Sequence, residues 1–495
     1  MLWAMSSPLI SVSGTRGIVD DSFTPQIVRE WTSGFAGFCD RENEGCRVVI
    51  GRDTRPSGAW ALRLAAAELA RRGIQPITLG IVPTPTVQLA VREHGARGGL
   101  IITASHNPKE WNGLKFLGSD GVFLSAEEIE QLTQYVSASE APRTRGTAKQ
   151  SPQSDGAASP STPSEEPGPR NDTAAIERHI ENILSLPVDV EQIRARKFRV
   201  VLDPVNGTGA LAVPPLLRRL GCTATMINGE PTGDFAHAPE PTPASLIGLG
   251  EAVRATRANL GVAVDPDADR LVLVDESGTV LSEEYTVTLA VCSVIASEAK
   301  QSPEAEGSPS EPAAPRNDMR VVVNLSTTRM VDDVARQFGA SVIRTPVGER
   351  HVVEGMRQHG ALIGGEGSGG VIFTKSHEGR DSLVGIALVL DLLAKRNLPL
   401  SALVSALPHY VMSKEKLPRM EAFDSTAMAA RLTRHFQGAQ CSTIDGIRID
   451  TPDGWVHLRP SNTEPVIRLI AEARTEALLD QLRTTVHAAL AVLVR

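Results

Sequence analysis

The 495-residue chain lacks several features that would narrow its class at once. It has no CxxC pair. Its five cysteines, Cys39, Cys46, Cys222, Cys292 and Cys441, are odd in number and scattered, which argues against a disulfide framework and fits a reducing compartment. It also lacks a basic excess: 50 Lys and Arg stand against 58 Asp and Glu, a formal charge of −8, where a nucleic-acid binder shows a basic patch or stripe. No apolar run approaches the length of a membrane span. The opening MLWAMSSPLISVSGTRG has no basic segment followed by an apolar core, so it does not read as a secretory signal. A cytoplasmic protein with no nucleic-acid or membrane partner is the expectation.

What is present is chain enough for three or four domains, since a single hydrophobic core stops growing well short of this length. Apolar runs at 47–50, 99–103, 199–203, 260–264, 321–324 and 361–364 read as buried strands. Helical patterns at 57–72, 214–220, 245–258 and 330–338 alternate with them, which predicts α/β units with mainly parallel sheets. From about residue 409 the pattern changes. Runs at 442–449, 455–459 and 466–472, then a helix over 476–494, predict an antiparallel sheet with helices on one side.

Two stretches, 139–172 and 297–318, are rich in Ser, Pro, Ala, Glu and Gly and hold almost no large apolar side chains. Their burial cannot offset the entropy of ordering, so both are expected to be disordered. They share AKQSP (148–152 and 299–303) and both end in PRND (169–172 and 315–318), as one mobile repeat translated twice would. Surface connections tolerate such insertions, because loop closure costs only about 0.6 kcal/mol per doubling of length.

Four motifs carry chemistry. TASHNP (103–108) follows a buried strand and puts Ser105 at a strand end, where α/β proteins place ligands; WNGLK then brings Lys115. Ser, Asn and Pro also make ordinary polar turns, which is the plain alternative. DPDADR (265–270) sets three carboxylates within five residues. Their mutual repulsion, roughly 1–4 kcal/mol per close pair, is relieved by a divalent cation, and all-oxygen ligands suit Mg²⁺. A solvated acidic turn is the alternative here. GGEGSGG (364–370) formally contains GxGxxG, but the strand-like Val371-Ile-Phe373 follows where a dinucleotide site needs a helix. The loop offers Glu366 and Ser368 to hydroxyls instead. RPSNTEP (459–465), with Arg468 beyond, presents Arg459, Ser461, Asn462 and Thr463, a donor set suited to a phosphate dianion. A capped surface loop is the alternative.

In this order the motifs resemble the α-D-phosphohexomutase superfamily, comprising phosphoglucomutase, phosphomannomutase and phosphoglucosamine mutase. GIVPTPT (80–86), DPVNG (203–207), PEPTP (239–243) and TPVG (345–348) extend the resemblance over nearly the whole chain apart from the two insertions. It implies three related mixed-sheet α/β domains and a smaller α+β C-terminal domain around a central cleft. The expected boundaries are 1–138 for a phosphoserine domain, 173–275 for a metal-binding domain, 276–406 for a sugar-binding domain and 407–495 for a phosphate-binding domain. It further implies Ser105 as the phosphoserine, with Asp265, Asp267, Asp269 and a Ser105 phosphoryl oxygen holding one Mg²⁺. Arg16, His106, Lys115 and Arg270 would surround the transferring group, Lys115 as general base. Glu366 and Ser368 would hold sugar hydroxyls. Arg459, Ser461, Asn462, Thr463 and Arg468 would hold the phosphate that is not reacting.

The implied reaction interconverts hexose 6-phosphate and hexose 1-phosphate through a bisphosphate, with a sugar 1,6-bisphosphate as activator and a monomer or homodimer as the working form. GGEGSGGVIF and the opening LISVSGTRG (9–17) look closest to phosphoglucosamine mutases, which nominates glucosamine 6-phosphate as substrate. Phosphomannomutase or phosphoglucomutase activity, or a metal-dependent sugar phosphatase, are the alternatives. Two departures stand out: Pro266 where many members have glycine, and Gly370 where many have histidine. His377 is the candidate to compensate for the second, against the plainer expectation of a solvent-exposed side chain.

Overall fold

A computed structural model describes residues 8–11, 14–39, 45–140, 170–300, 319–418, 425–436, 438–461 and 466–491. It resolves into two units, Met1–Val82 with Thr86–Ala104 and Lys109–Arg178, and Pro83–Pro85 with Ser105–Pro108 and His179–Arg495.

In the first unit β1 (Leu9–Ser11), β2 (Gly14–Ile18), β3 (Arg47–Arg52), β4 (Gln75–Ile81), β5 (Gly98–Ile102) and β6 (Trp111–Leu117) form one sheet in the order β1-β2-β6-β5-β3-β4. The apolar run of β5 is buried along its whole length, as a parallel strand covered on both faces requires. Trp31, Phe35 and Phe116 anchor the core on one face, with Phe35 and Phe116 ring centroids 5.0 Å apart. The end of β5 is fixed by a buried ion pair. Asp53 accepts from Arg55 Nε (3.0 Å) and Thr103 Oγ1 (2.6 Å), while Arg55 Nη1 donates to the Trp111 carbonyl (2.8 Å).

The second unit holds three sheets. β7 (Arg199–Asp203), β8 (Thr223–Met226), β9 (Leu260–Val264) and β10 (Leu271–Val274) lie in the order β10-β9-β7-β8. β11 (Arg320–Asn324), β12 (Ser341–Thr345), β13 (Ile363–Glu366) and β14 (Gly370–Phe373) lie in the order β12-β11-β13-β14. β15 (Val411–Pro418), β16 (Gln440–Ser442), β17 (Ile447–Thr451), β18 (Gly454–Pro460) and β19 (Val466–Ala473) are wholly antiparallel, in the order β15-β19-β18-β17-β16.

The first three sheets repeat one pattern, which is the physical content of three related domains. A central strand (β3, β7, β11) pairs in parallel with the strands on both sides of it, and the third strand (β5, β9, β13) turns back into an antiparallel partner (β6, β10, β14). The Ser105 loop, the acidic loop and the glycine-rich loop are the connections of those three hairpins. The RPSNTEP motif falls at the β18–β19 connection of the fourth sheet.

Several boundaries differ from expectation. The strand expected at 361–364 runs Ile363–Glu366, and the run 442–449 divides into β16 and β17 around Gly446, whose φ is +74°. The helix expected from 214 begins at Gly209 and carries Pro214 and Pro215 within it. The half-exposed, Lys-bearing edge strand β15 lacks the apolar run by which the expected strands were found, and so does the exposed edge strand β8. At the two insertions, helices extend to Glu140 and Lys300, and another begins at Arg170; 141–169 and 301–318 lie outside the described residues. Among the described residues, no helix is long and apolar enough to cross a membrane.

Candidate active site

Ser105 takes φ +51°, a left-handed conformation that a non-glycine residue adopts at a cost. Its side chain is buried, and Oγ donates to Asp265 Oδ2 over 3.0 Å. His106 Nδ1 lies 3.4 Å from the same oxygen.

Asp265, Asp267 and Asp269 are all buried, with an oxygen of each within 4.8 Å of the others. The loop wraps around the first of them: Asp265 Oδ1 accepts from the backbone N–H of Asp269 (3.1 Å) and of Arg270 (3.2 Å). Ala268 turns the chain with φ +53°. The loop is held from outside by Thr208, whose N–H and hydroxyl both donate to the Pro266 carbonyl (2.9 and 3.0 Å). This contact ties the loop to the residue directly after DPVNG, through a carbonyl that any residue at 266 would supply. Thr84 does the same for the second carboxylate, its N–H donating to the Asp267 carbonyl (2.9 Å) and its hydroxyl to Asp267 Oδ2 (2.8 Å).

Burial, then Asp269 and Asp267, push the Asp265 carboxyl well above its usual range. Three carboxylates removed from water at this spacing favour either protons or a cation. The donor set, carboxylates plus the Ser105 hydroxyl, fits a hard divalent ion.

The glycine-rich loop connects β13 to β14. Glu366 is buried, and Oε1 accepts from Asn324 Nδ2 (2.7 Å) and the Gly348 N–H (3.0 Å). Oε2 accepts from Arg380 Nη1 (2.7 Å). Burial alone raises this carboxyl; Arg380 and Asn324 outweigh it and hold it below its ordinary value. Ser368 is half-buried in the same loop. The loop touches the acidic hairpin directly, as the Leu271 N–H donates to the Gly369 carbonyl (3.0 Å).

His377 is buried rather than solvent-exposed, and it does not fill the place of a side chain at Gly370. Its Nε2 and that of His179 lie 3.1 and 2.8 Å from the same oxygen of Asp381. The other Asp381 oxygen caps the helix Ser382–Arg396 by accepting from the N–H of Leu383 (2.8 Å) and Val384 (3.3 Å). Burial opposes ionisation of Asp381, but the two histidines hold its carboxyl low. A β-carbon on Gly370 would overlap Cδ of Arg380 instead.

In the fourth sheet Arg459 is buried on β18, its Nε 3.1 Å from Asp445 Oδ2, which also accepts from the Val347 N–H (2.9 Å). Arg468 pairs with it across the strands, and the Ser461 N–H closes the hairpin on the Val466 carbonyl (2.8 Å). Asn462 and Thr463 lie outside the described residues. Arg270 Nε lies 3.7 Å from Asp269 Oδ1. Arg16 and Lys115 belong to the first unit: Arg16 pairs with Gly113 between β2 and β6, and Lys115 is buried on β6 with Nζ 5.5 Å from the Phe123 ring centroid.

Reading the sequence missed the supports: Thr84, Arg380, Glu349 and Asp445. Only Thr84 left a signal, as part of GIVPTPT.

Four family models of phosphoglucomutase/phosphomannomutase match in chain order: alpha/beta/alpha domain I over residues 9–143, domain II over 177–278, domain III over 291–410 and the C-terminal domain over 414–489. A phosphoglucomutase/phosphomannomutase of Thermococcus kodakarensis is 34% identical over 94% of this chain and 95% of its own. A phosphoglucosamine/phosphogalactosamine mutase of Sulfurisphaera tokodaii is 30% identical over 96% and 97% respectively. Among solved structures, a phosphoglucomutase/phosphomannomutase family protein of Burkholderia thailandensis superposes with a TM-score of 0.78 at 25% identity, covering 97% of this chain and 96% of that one.

Proposed function

The chain belongs to the phosphoglucomutase/phosphomannomutase family and is a phosphohexomutase; from that premise we propose that it transfers phosphoryl groups through Ser105 and takes an amino sugar, interconverting glucosamine 6-phosphate and glucosamine 1-phosphate. The observation that carries the Ser105 assignment is its hydroxyl, buried on a left-handed residue 3.0 Å from the first carboxylate of the acidic triad. The sugar assignment leans on the glycine-rich loop and on relatives such as the amino-sugar mutase of Sulfurisphaera tokodaii.

In this reading the phosphorylated Ser105 donates its phosphoryl group to a free hydroxyl of the sugar phosphate. The bond to Oγ breaks, the bond to the sugar oxygen forms, and a 1,6-bisphosphate results. The bisphosphate turns over and returns its other phosphoryl group to Ser105. Asp265, Asp267 and Asp269 would hold Mg²⁺, which neutralises charge developing on the transferring group. His106 and Arg270 flank that group. Glu366 and Ser368 accept from and donate to sugar hydroxyls, while Arg459, Ser461 and Arg468, with Asn462 and Thr463, hold the distal phosphate in either orientation. For Arg16 as a phosphoryl ligand and Lys115 as general base, the resemblance is the support. A 1,6-bisphosphate activator would restore phosphoserine lost to water.

The test is kcat/KM for glucosamine, mannose and glucose phosphates with Mg²⁺ and bisphosphate present. The glucosamine pair is expected to give the highest value. A tenfold preference for another hexose, about 1.4 kcal/mol, overturns the sugar assignment. Inorganic phosphate released without isomer favours the phosphatase alternative.

A further inference from the structure

Arg380 binds three carboxylates carried by three different segments. Nη2 donates to Asp269 Oδ2 (2.7 Å), Nη1 to Glu366 Oε2 (2.7 Å) and Nε to Glu349 Oε2 (3.0 Å). Its backbone is fixed by an antiparallel bridge to Ile372, and only 12% of its side chain is exposed. The aliphatic stem lies where a β-carbon on residue 370 would sit, so Gly370 makes room for it. Burial disfavours the Arg380 cation, yet Asp269, Glu366 and Glu349 outweigh that and keep it charged.

One of these partners belongs to the cation triad and another to the sugar loop. We propose that Arg380 is a positioning residue that joins the two sites: it fixes Glu366 for the sugar hydroxyls and competes with the divalent cation for Asp269. The sugar half rests on the phosphohexomutase reading above; the cation half rests on the triad alone.

The two halves predict shifts of opposite sign. Glu366 keeps its two donors to Oε1 when Arg380 is removed but loses the one that sets Oε2, so its carboxylate can rotate and sugar binding weakens. A divalent ion beside Asp269 is repelled by a guanidinium bonded to the same carboxylate, so removing that charge strengthens cation binding. Damage to the fold alone would weaken both. The planar fork of arginine reaches three acceptors in different directions, which the single ammonium of lysine does not reproduce.

The experiment measures two affinities by isothermal titration on the dephosphorylated full-length protein: Mg²⁺ without sugar, and glucose 1-phosphate in EDTA, where no transfer occurs. In Arg380→Gln, with the fold confirmed by circular dichroism, Mg²⁺ is expected to bind about tenfold tighter and glucose 1-phosphate about tenfold weaker. In Arg380→Lys, Mg²⁺ affinity is expected to stay within about twofold of wild type while glucose 1-phosphate still binds about tenfold weaker. Unchanged or weakened Mg²⁺ binding in a folded Arg380→Gln, or unchanged sugar affinity in either variant, overturns the proposal. Should Arg380→Gln not fold, the sugar affinity of Arg380→Lys decides. Isomerisation by wild type is assayed separately, so a failure of the mutase reading shows there and not in these binding shifts.

Discussion

Gly367, in the middle of the glycine-rich loop, shows how closely single side chains are fitted. A β-carbon there would overlap the carboxylate of Glu284, a buried group that accepts from the Thr328 N–H (2.9 Å) and from Lys414 Nζ (3.0 Å). Burial pushes the Glu284 carboxyl up to about 7 despite Lys414, and moving it aside would break both of these hydrogen bonds. Gly367→Ala is therefore expected to cost about 1–3 kcal/mol of stability, read as a lowered unfolding midpoint, and to weaken hexose phosphate binding. A midpoint and KM equal to wild type would show that the loop gives way freely. Residues of this kind mark the limit of what the sequence reveals. Ser105 and the three aspartates were legible because their chemistry is concentrated in a few consecutive positions. Arg380 lies 111 residues from Asp269, and Thr84 183 residues from Asp267, so neither partner can be inferred from spacing. His377 was misjudged for the same reason: the groups that bury it, His179 and Asp381, are brought together by folding.

At the scale of elements, one hairpin serves three purposes. A buried strand, a short loop and an antiparallel return recur in the first three sheets, and the loop carries Ser105, then the three aspartates, then Glu366 and Ser368, to which the proposed reaction gives different roles. The central parallel strands were legible because both faces are covered and the apolar run is unbroken, while the parallel edge strands β4, β8 and β12, more exposed, were not. The edge strand β15 was not, because its charged, half-exposed face removes that signal. His457 on β18 gives this scale its prediction. It is buried, with Nδ1 2.9 Å from Ser326 Oγ and Nε2 2.6 Å from the Asp445 carbonyl, and burial pushes its pKa down to about 4. The unfolded chain, with histidine near 6.5, then binds more protons than the folded one between about pH 4 and 6.5, so stability rises with pH across that window. Acidification from pH 6.5 to 4 is expected to destabilise wild type by up to about 1.4 kcal/mol per pH unit more than His457→Gln. Urea midpoints at several pH values read the difference; parallel curves for the two proteins would remove His457 from the account.

For the molecule as a whole, the second unit combines the acidic loop, the glycine-rich loop and the arginines of the fourth sheet, Arg459 and Arg468. Its C-terminal sheet is tied to the β11–β14 sheet by Arg329, which donates to the Thr451 and Gly454 carbonyls (2.8 and 2.9 Å) and to Asp450 (2.9 Å). Arg448 lies 4.2 Å from the Trp455 ring centroid and donates to the Leu325 carbonyl. Asp445 belongs to the same seam, accepting from Val347 while it orients Arg459. Arg459 is thus aligned by the sheet that carries the glycine-rich loop, which is what the proposed reaction, with two phosphates on one sugar, requires. The order of the four motifs made the family legible at this scale; the seam between sheets, built from carbonyls and distant charges, leaves no pattern in the chain. The central claim is that Ser105 carries the phosphoryl group. Intact mass of wild type and Ser105→Ala, each after incubation with glucose 1,6-bisphosphate and Mg²⁺, tests it most directly. Wild type is expected to gain one phosphate, about 80 Da, and the variant none, with isomerase activity lost by at least about 10³-fold. A phosphate retained on Ser105→Ala, or full activity without one, would contradict the account.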